Sequence, residues 1–274
     1  MNFQRLKIKK ALTTSAFFIG WLLCAPLQAN SFIQPKPDCK EFIATETATV
    51  RYVHDGDTLF LSDKRKLRLI GIDTPELARD HKNTVSAEQP FAREARDFVR
   101  RLISQYGHQI SLMPGVEKTD RYQRWLFHIR LSDGSLLQSR LLQAGLAVAY
   151  TTPPNQLLSN CYQQAEHVAQ QQNKNIWSAP KYQAIAAEKL QAKHRGFHII
   201  KGKVRHIGES KKAIWLNFYG NFSARIDKRD QRYFHDSLND LLEKEITVRG
   251  WLHHDNNKIR MTLRHPSAIR HTED

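Results

Sequence analysis

Two series of short strand patterns, joined by a charged Ala- and Gln-rich segment, limit what this 274-residue chain can fold into. The first series has five β-rich runs, at residues 49–53, 58–61, 67–72, 110–113 and 125–131. Polar turns separate the first three runs, a pattern typical of antiparallel hairpins. Helices are predicted from the apolar spacing at residues 88–106, 137–144 and 155–172. This order of elements is typical of a small barrel with flanking helices.

The second series restarts the strand pattern after residue 196. Its runs are at residues 199–207, 213–218, 222–226, 246–252 and 259–263. A helix is predicted at 229–242, before the last two strands, which is the element order of an oligonucleotide/oligosaccharide-binding (OB) barrel. We therefore predict an α+β, mainly β chain with a catalytic or binding domain at 30–178, a partly helical linker at 179–196 and an OB-like accessory domain at 197–270.

The first 29 residues have the pattern of a secretory signal peptide. Four cations precede an uncharged apolar stretch at 11–27, which ends near the small residue Ala29. We expect cleavage after Ala29, and an uncleaved anchor is the alternative, although the stretch is shorter than the roughly 20 residues of a membrane span. The sequence thus predicts an exported protein, periplasmic or extracellular, with no stable membrane insertion after cleavage.

Charge and cysteine content agree with export and a polyanionic partner. The chain has 42 Lys and Arg against 27 Asp and Glu, a net charge of +15, and signal cleavage would leave +11. A hydrophobic content of 41% excludes a wholly disordered chain.

Beyond the signal peptide only Cys39 and Cys161 remain. An oxidising compartment favours a disulfide between them, and two buried thiols are the alternative.

Four carboxylates lie beside the predicted barrel turns. Asp55 and Asp57 occupy the first turn, and Asp73 and Glu76 follow the third strand. Together they could bind one hard cation and activate a water molecule. The structural alternative is that Asp55 and Asp57 only form a hairpin turn and that Asp73 caps a helix beginning at Pro75.

Two arginines near these carboxylates are candidates for binding phosphate. Arg68 precedes Asp73 by five residues, and Arg124 begins another predicted strand. Guanidinium groups offer paired donors of fixed geometry to phosphate oxygens. With 42 cations in the chain, a solvated surface arginine is the alternative for each.

The motifs together resemble the staphylococcal (micrococcal) nuclease family, or thermonucleases. The motifs are VHDGDT at 53–58, RLIGIDTPE at 68–76, DRYQR at 120–124, DG at 133–134, GLA at 145–147 and NIWS at 175–178. Several dispersed motifs in family order are more specific than any one of them. The resemblance, over residues 45–178, implies an OB-fold barrel and a calcium-dependent nuclease that cuts DNA and RNA to leave 3′-phosphate ends.

The same resemblance implies a role for individual residues. Calcium would be bound by the Asp57 and Asp73 carboxylates, by the Thr74 main-chain oxygen and by Asp55 through water. Glu76 would be the general base, and Arg68 and Arg124 would bind the scissile phosphate. The residues that would contact the nucleotide are Arg121, Tyr122 and Tyr150. Gln123 departs from the family, which usually has glycine there, so the turn that orients Arg124 could be altered.

Two further questions stay open from the sequence. Trp215, Phe218 and Tyr219 of the second domain could stack on bases, or they could be core residues. The chain as a whole could instead be an exported nucleic-acid-binding protein without hydrolysis, or a cell-envelope interaction protein that uses two basic barrels. DNA and RNA are the expected substrates, and a monomer is the expected state.

Overall fold

The computed structural model describes residues 42–81, 84–235, 237–255 and 258–271. All of them belong to one compact unit, residues 36–274. The predicted signal peptide and Cys39 lie outside the described residues. Among those described, no helix combines the length and apolar character that crossing a bilayer requires.

The first part of the chain forms a closed five-stranded barrel with three helices. Its elements are β1 (Glu46–Val53), β2 (Thr58–Leu61), β3 (Lys66–Leu69), β4 (Ile72–Asp73), β5 (Arg79–His81), β6 (Thr84–Ser86), α1 (Ala92–Gln105), β7 (Gln109–Thr119), β8 (Trp125–Arg130), α2 (Leu137–Gln143), β9 (Val148–Ala149) and α3 (Ser159–Gln171). The barrel order is β1-β2-β3-β8-β7, closed by β1 on β7. Only β3 and β8 run parallel among these neighbours. The predicted OB-type barrel is therefore confirmed.

Strand alternation decides which residues of β3 face the core. Leu67 and Leu69 are fully buried, whereas Lys66 and Arg68 lie on the outer face. Successive side chains of a strand point to opposite faces, so the two buried leucines fix the outward orientation of Lys66 and Arg68, which alternate with them. Helix α1 covers the barrel with an apolar stripe that includes Ala95, and its spacing agrees with the predicted amphipathic helix.

The second part of the chain forms another closed five-stranded barrel. Its elements are β10 (Ala184–Ala186), β11 (Gly196–Glu209), β12 (Ala213–Phe218), β13 (Phe222–Asp227), β14 (Glu245–Asp255), β15 (Lys258–Leu263) and β16 (Ile269–His271). The order β11-β12-β13-β15-β14 closes through β11 on β14, and β13 runs parallel to β15. This repeats the strand order of the first barrel. The predicted OB-like barrel is confirmed.

One local prediction for this half was wrong. The described part of 229–242 holds two short 3₁₀ turns, Gln231–Tyr233 and Leu238–Leu241, rather than the predicted helix. The segment contains Asp, Asn and Ser, whose side chains can compete for backbone hydrogen bonds and favour turns over helix interiors. The segment predicted as a partly helical linker contains two short 3₁₀ turns, Pro180–Tyr182 and Ala187–Lys189, and the strand β10, which pairs in parallel with β11.

The two barrels share a packed interface. A buried apolar cluster joins them, made of Val148, Ala169, Ile176, Trp177, Tyr182 and Phe197. Beside it, Glu166 on α3 is fully buried and its Oε2 accepts hydrogen bonds from Arg249 at 2.5 Å and Arg270 at 2.9 Å. Its Oε1 accepts the Ala149 N–H at 2.7 Å. Since both arginines belong to the second barrel, Glu166 connects the barrels through a buried ionic contact.

Candidate active site

A cleft of about 890 Å³ contains most of the predicted site residues. Its lining consists of His54, Asp55, Thr58, Lys66, Arg68, Asp73, Glu76, Ala78, Arg121, Tyr122, Arg124 and Trp251. Eleven of the twelve belong to the first barrel and its loops, and Trp251 belongs to β14 of the second. The structure therefore brings residues from three of the six motifs, those at 53–58, 68–76 and 120–124, to one surface.

The β1–β2 turn places the Asp55 carboxylate in the cleft lining and the Asp57 carboxylate beneath it. Asp55 Oδ1 accepts the Asp57 N–H at 3.1 Å, and both side chains are buried. A Cβ on Gly56 would lie 2.8 Å from Thr74 and 2.9 Å from Ala95, so only glycine allows this close approach. Asp55 and Asp57 therefore do form the hairpin turn that was the structural alternative, and the same turn brings both carboxylates to the site.

Arg68 connects the two predicted calcium ligands. Its Nη1 lies 2.8 Å from Asp57 Oδ2, and its Nη2 lies 2.8 Å from Asp73 Oδ1. Asp57 Oδ2 also accepts the N–H and the hydroxyl of Thr74, at 3.1 and 3.0 Å. Asp57 and Thr74 lie beneath the lining, while Arg68 and Asp73 reach the cleft surface. A guanidinium thus holds both carboxylates in place and remains partly accessible.

Glu76 lies on an irregular segment, not on a helix. Residues 74–78 have no regular structure, so the interpretation of Asp73 as a helix cap is wrong. The Glu76 carbonyl accepts the Gln89 N–H at 2.9 Å, and the Gln89 side chain accepts a hydrogen bond from Lys181 at 2.6 Å. The segment that carries Glu76 is therefore fastened to the region between the barrels. Sequence reasoning did not identify this role of Lys181.

The electrostatics of the cleft favour a cation. Burial, and then the neighbouring Asp57 charge, raises the pKa of Asp55 to about 7. Burial also raises the pKa of Asp73 to about 7, although Arg68 opposes the shift. Four carboxylates share this region with Arg68, and an added positive charge would relieve their repulsion.

The donor chemistry fits a hard metal ion, although the ligands are not preassembled. Oxygen atoms of Asp55, Asp57 and Asp73 are the donor type that calcium prefers. No cluster of three His, Cys, Asp or Glu side chains within metal-binding distance occurs in the ranges that the structure describes. The Arg68 guanidinium bonds to both Asp57 and Asp73, so metal binding would require these ion pairs to rearrange.

The loop between β7 and β8 orients Arg124. Asp120 accepts the N–H groups of Tyr122 and Arg124 at 2.9 and 3.0 Å, and its Oδ2 accepts Arg124 Nε at 2.7 Å. Gln123 has a φ of 61°, in the left-handed region that glycine adopts without strain. The turn therefore forms with a side chain in place of glycine, at a cost on the order of 1 kcal/mol.

Of the two tyrosines predicted to contact the nucleotide, Tyr122 lines the cleft and Tyr150 does not. Tyr122 is 64% exposed, with the guanidinium of Arg121 4.8 Å from its ring centre, and both residues line the cleft. Tyr150 is not among the lining residues, and its ring packs against Trp251 at 4.5 Å between centroids. Burial raises the pKa of the Tyr150 hydroxyl to about 12. Phe218 is a core residue of the second barrel.

The lining also includes residues that sequence reasoning missed. Lys66 lies two positions before Arg68 on the same face of β3, so strand alternation could have revealed it. Trp251 had no such signal, because it reaches the cleft through packing of the second barrel. Cys161 is buried on α3, while its predicted partner lies outside the described residues. That pairing stays a prediction.

Comparison with known proteins identifies relatives of the first barrel. The family described as "Staphylococcal nuclease homologue" matches residues 66–179. The thermonuclease of Staphylococcus hyicus is 34% identical over 136 residues, which are 48% of this chain and 76% of the relative. The thermonuclease of Staphylococcus intermedius is 31% identical over 135 residues, with the same two coverages. Endonuclease YncB of Bacillus subtilis is 30% identical over 132 residues, 47% of this chain and 60% of that protein.

Proposed function

The chain belongs to the staphylococcal nuclease family, and on this basis we propose that it is an exported, calcium-dependent nuclease that hydrolyses DNA and RNA to leave 3′-phosphate ends. One observation carries the proposal: Arg68 spans Asp57 and Asp73 in the cleft that Glu76 and Arg124 also line. This arrangement supports the proposal, because a candidate base and two cations able to bind phosphate line the cleft that also holds oxygen donors suited to a metal.

In the proposed hydrolysis, each site residue has a separate role. Glu76 accepts a proton from the water that attacks phosphorus. The bond from phosphorus to the 5′-oxygen breaks, that oxygen takes up a proton, and the phosphate stays on the 3′-oxygen. Arg68 and Arg124 stabilise the charge that develops on the phosphate oxygens. Calcium, bound by Asp57, Asp73 and the Thr74 carbonyl with Asp55 through water, would supply further positive charge at the phosphate.

Replacing Glu76 with glutamine tests both the reaction and the assigned base. We expect purified protein to cut circular DNA with calcium and to leave it intact with excess chelator. Glu76→Gln should cut about 10²–10⁴-fold more slowly, because glutamine cannot accept the proton. The matched control is Glu94→Gln, at an exposed position of α1. Agarose gels over time measure the rates, and melting curves check folding.

Two outcomes of this experiment would contradict the proposal. DNA that stays intact with calcium but is retarded on a gel would indicate a binding protein without hydrolysis. DNA that stays intact and is not retarded, with or without calcium, would indicate a cell-envelope interaction protein. A parental rate in Glu76→Gln would remove Glu76 from the mechanism.

Export and the disulfide form a separate proposal, motivated by the signal pattern and the two remaining cysteines. If the chain is exported and Cys39 pairs with Cys161, the mature protein should begin at Asn30 and unfolded, unreduced protein should contain no free thiol. N-terminal sequencing and thiol titration in denaturant measure these properties. A mature protein with two reactive thiols would exclude the disulfide.

A further inference from the structure

Trp251 is the cleft residue that the second barrel contributes. It lies on β14 directly after Gly250, and it lines the same cleft as Arg68, Glu76 and Arg124. The resemblance that assigns roles to the other site residues covers the first barrel only. Trp251 therefore has a position in the substrate site without an assigned role.

The packing around Trp251 fixes the orientation of its ring. Phe197, its register partner on β11, meets it edge to face with ring centres 5.3 Å apart. On the first barrel, Tyr150 makes a second edge-to-face contact at 4.5 Å. The ring also packs against the buried cluster between the barrels. A ring held from several directions loses little conformational entropy when a ligand binds to it.

The chemistry of the cleft suggests what meets this ring. Arg68 and Arg124 can bind a phosphate, while Tyr122 and Trp251 provide aromatic surface in the same cleft. Guanidinium groups beside aromatic rings are the combination with which proteins bind single-stranded nucleic acid, because phosphates pair with the cations and bases stack on the rings. A base within a duplex is already stacked and cannot offer its face.

We propose that Trp251 is a base-binding wall of the substrate site, through which the second barrel stacks an unpaired base close to the phosphate held by Arg68 and Arg124. This inference rests on the proposed nuclease function. It makes the second barrel part of the substrate site, and it predicts that Trp251 contributes more to binding single-stranded than duplex nucleic acid.

The test separates stacking from packing by comparing two substitutions in the full-length protein. Trp251→Leu keeps an apolar side chain against Phe197 and Tyr150 but removes the aromatic face, whereas Trp251→Phe keeps an aromatic ring. We expect Trp251→Leu to raise KM for a single-stranded oligonucleotide about 10-fold, within the range for one lost base stack, with kcat changed less than twofold. Trp251→Phe should stay within about threefold of the parent, and duplex DNA should show a smaller effect.

Trp215 is the matched control in the same barrel. It lies on the outer face of β12, where the guanidinium groups of Arg225 and Arg260 approach its ring, and it does not line the cleft. Trp215→Leu should leave KM unchanged. A larger rise in KM with Trp215→Leu than with Trp251→Leu would overturn the proposal and place base stacking on the outer face. Equal KM values for folded Trp251→Leu, Trp251→Phe and parent would also overturn it.

A binding measurement distinguishes this inference from the nuclease proposal. The single-stranded oligonucleotide should quench tryptophan fluorescence in Glu76→Gln, and most of this quenching should disappear in Glu76→Gln/Trp251→Phe. Quenching without any hydrolysis by the parent would refute the nuclease and retain the base-binding wall. If the parent hydrolyses the oligonucleotide but quenching persists without Trp251, the nuclease proposal is retained and the base-binding role of Trp251 is refuted.

Discussion

Arg68→Lys is expected to lower kcat/KM for DNA by about 100-fold, and Arg68→Ala by about 10³-fold or more, with the fold retained. Arginine reaches Asp57 with one nitrogen and Asp73 with the other, each at 2.8 Å. Lysine keeps the charge but has one donor centre, so it cannot offer the paired donors of a guanidinium to phosphate when calcium takes over the carboxylates. Loss of one transition-state donor typically costs 10²–10³-fold.

The measurement is steady-state cleavage of a labelled oligonucleotide, with melting curves recorded on the same samples. Arg51→Lys, at an exposed position on β1, is the matched control and should cleave at the parental rate. If Arg68→Lys also cleaved at the parental rate, the paired geometry of Arg68 would be irrelevant to the reaction. If it lost activity only because it unfolded, Arg68 would be a structural residue.

Glu166→Ala is expected to lower the free energy of unfolding by about 3–5 kcal/mol. The carboxylate is fully buried and accepts hydrogen bonds from Arg249, Arg270 and the Ala149 backbone. Its removal leaves two guanidinium groups without their anion, one of them almost completely buried, and breaking a buried pair in this way carries a large penalty. The melting temperature should fall by roughly 6–20 °C for a protein of this size.

The matched control for Glu166 is a surface ion pair of the second barrel. Glu245 pairs with Lys201 at 2.8 Å, and both side chains are about half exposed. Glu245→Ala should therefore change stability by no more than about 1 kcal/mol. Urea unfolding of both variants measures the difference. If Glu166→Ala lowered the free energy of unfolding no more than Glu245→Ala did, the buried contact would contribute little to holding the barrels together.

Local sequence patterns predicted the barrels and most of the cleft. Alternation around Leu67 and Leu69 is enough to turn Arg68 outward, and Asp-Gly at 55–56 marks the turn that supplies two carboxylates. These features depend on neighbours in sequence, so they can be read from a single chain. The motifs then place Glu76 and Arg124 beside them.

The remaining features depend on contacts between distant segments. Trp251 reaches the cleft, and Tyr150 is covered, only because the second barrel packs in one orientation on the first. The strand at Ala184–Ala186 is too short for a recognisable alternation, and its alanines suggest helix. Its pairing with β11 overrides that preference. Tertiary packing, which local propensity does not encode, accounts for these differences.

The ordered segment between the barrels has a consequence for any shortened form of the protein. A cut after Ser178 would keep all eleven cleft residues of the first barrel, yet it would uncover Ile176 and Trp177, which are now buried in the apolar cluster. Glu166 would lose both arginines at the same cut. A shortened enzyme would thus expose an apolar patch through which it could aggregate. Polar substitutions on that newly exposed surface would be needed to keep it soluble.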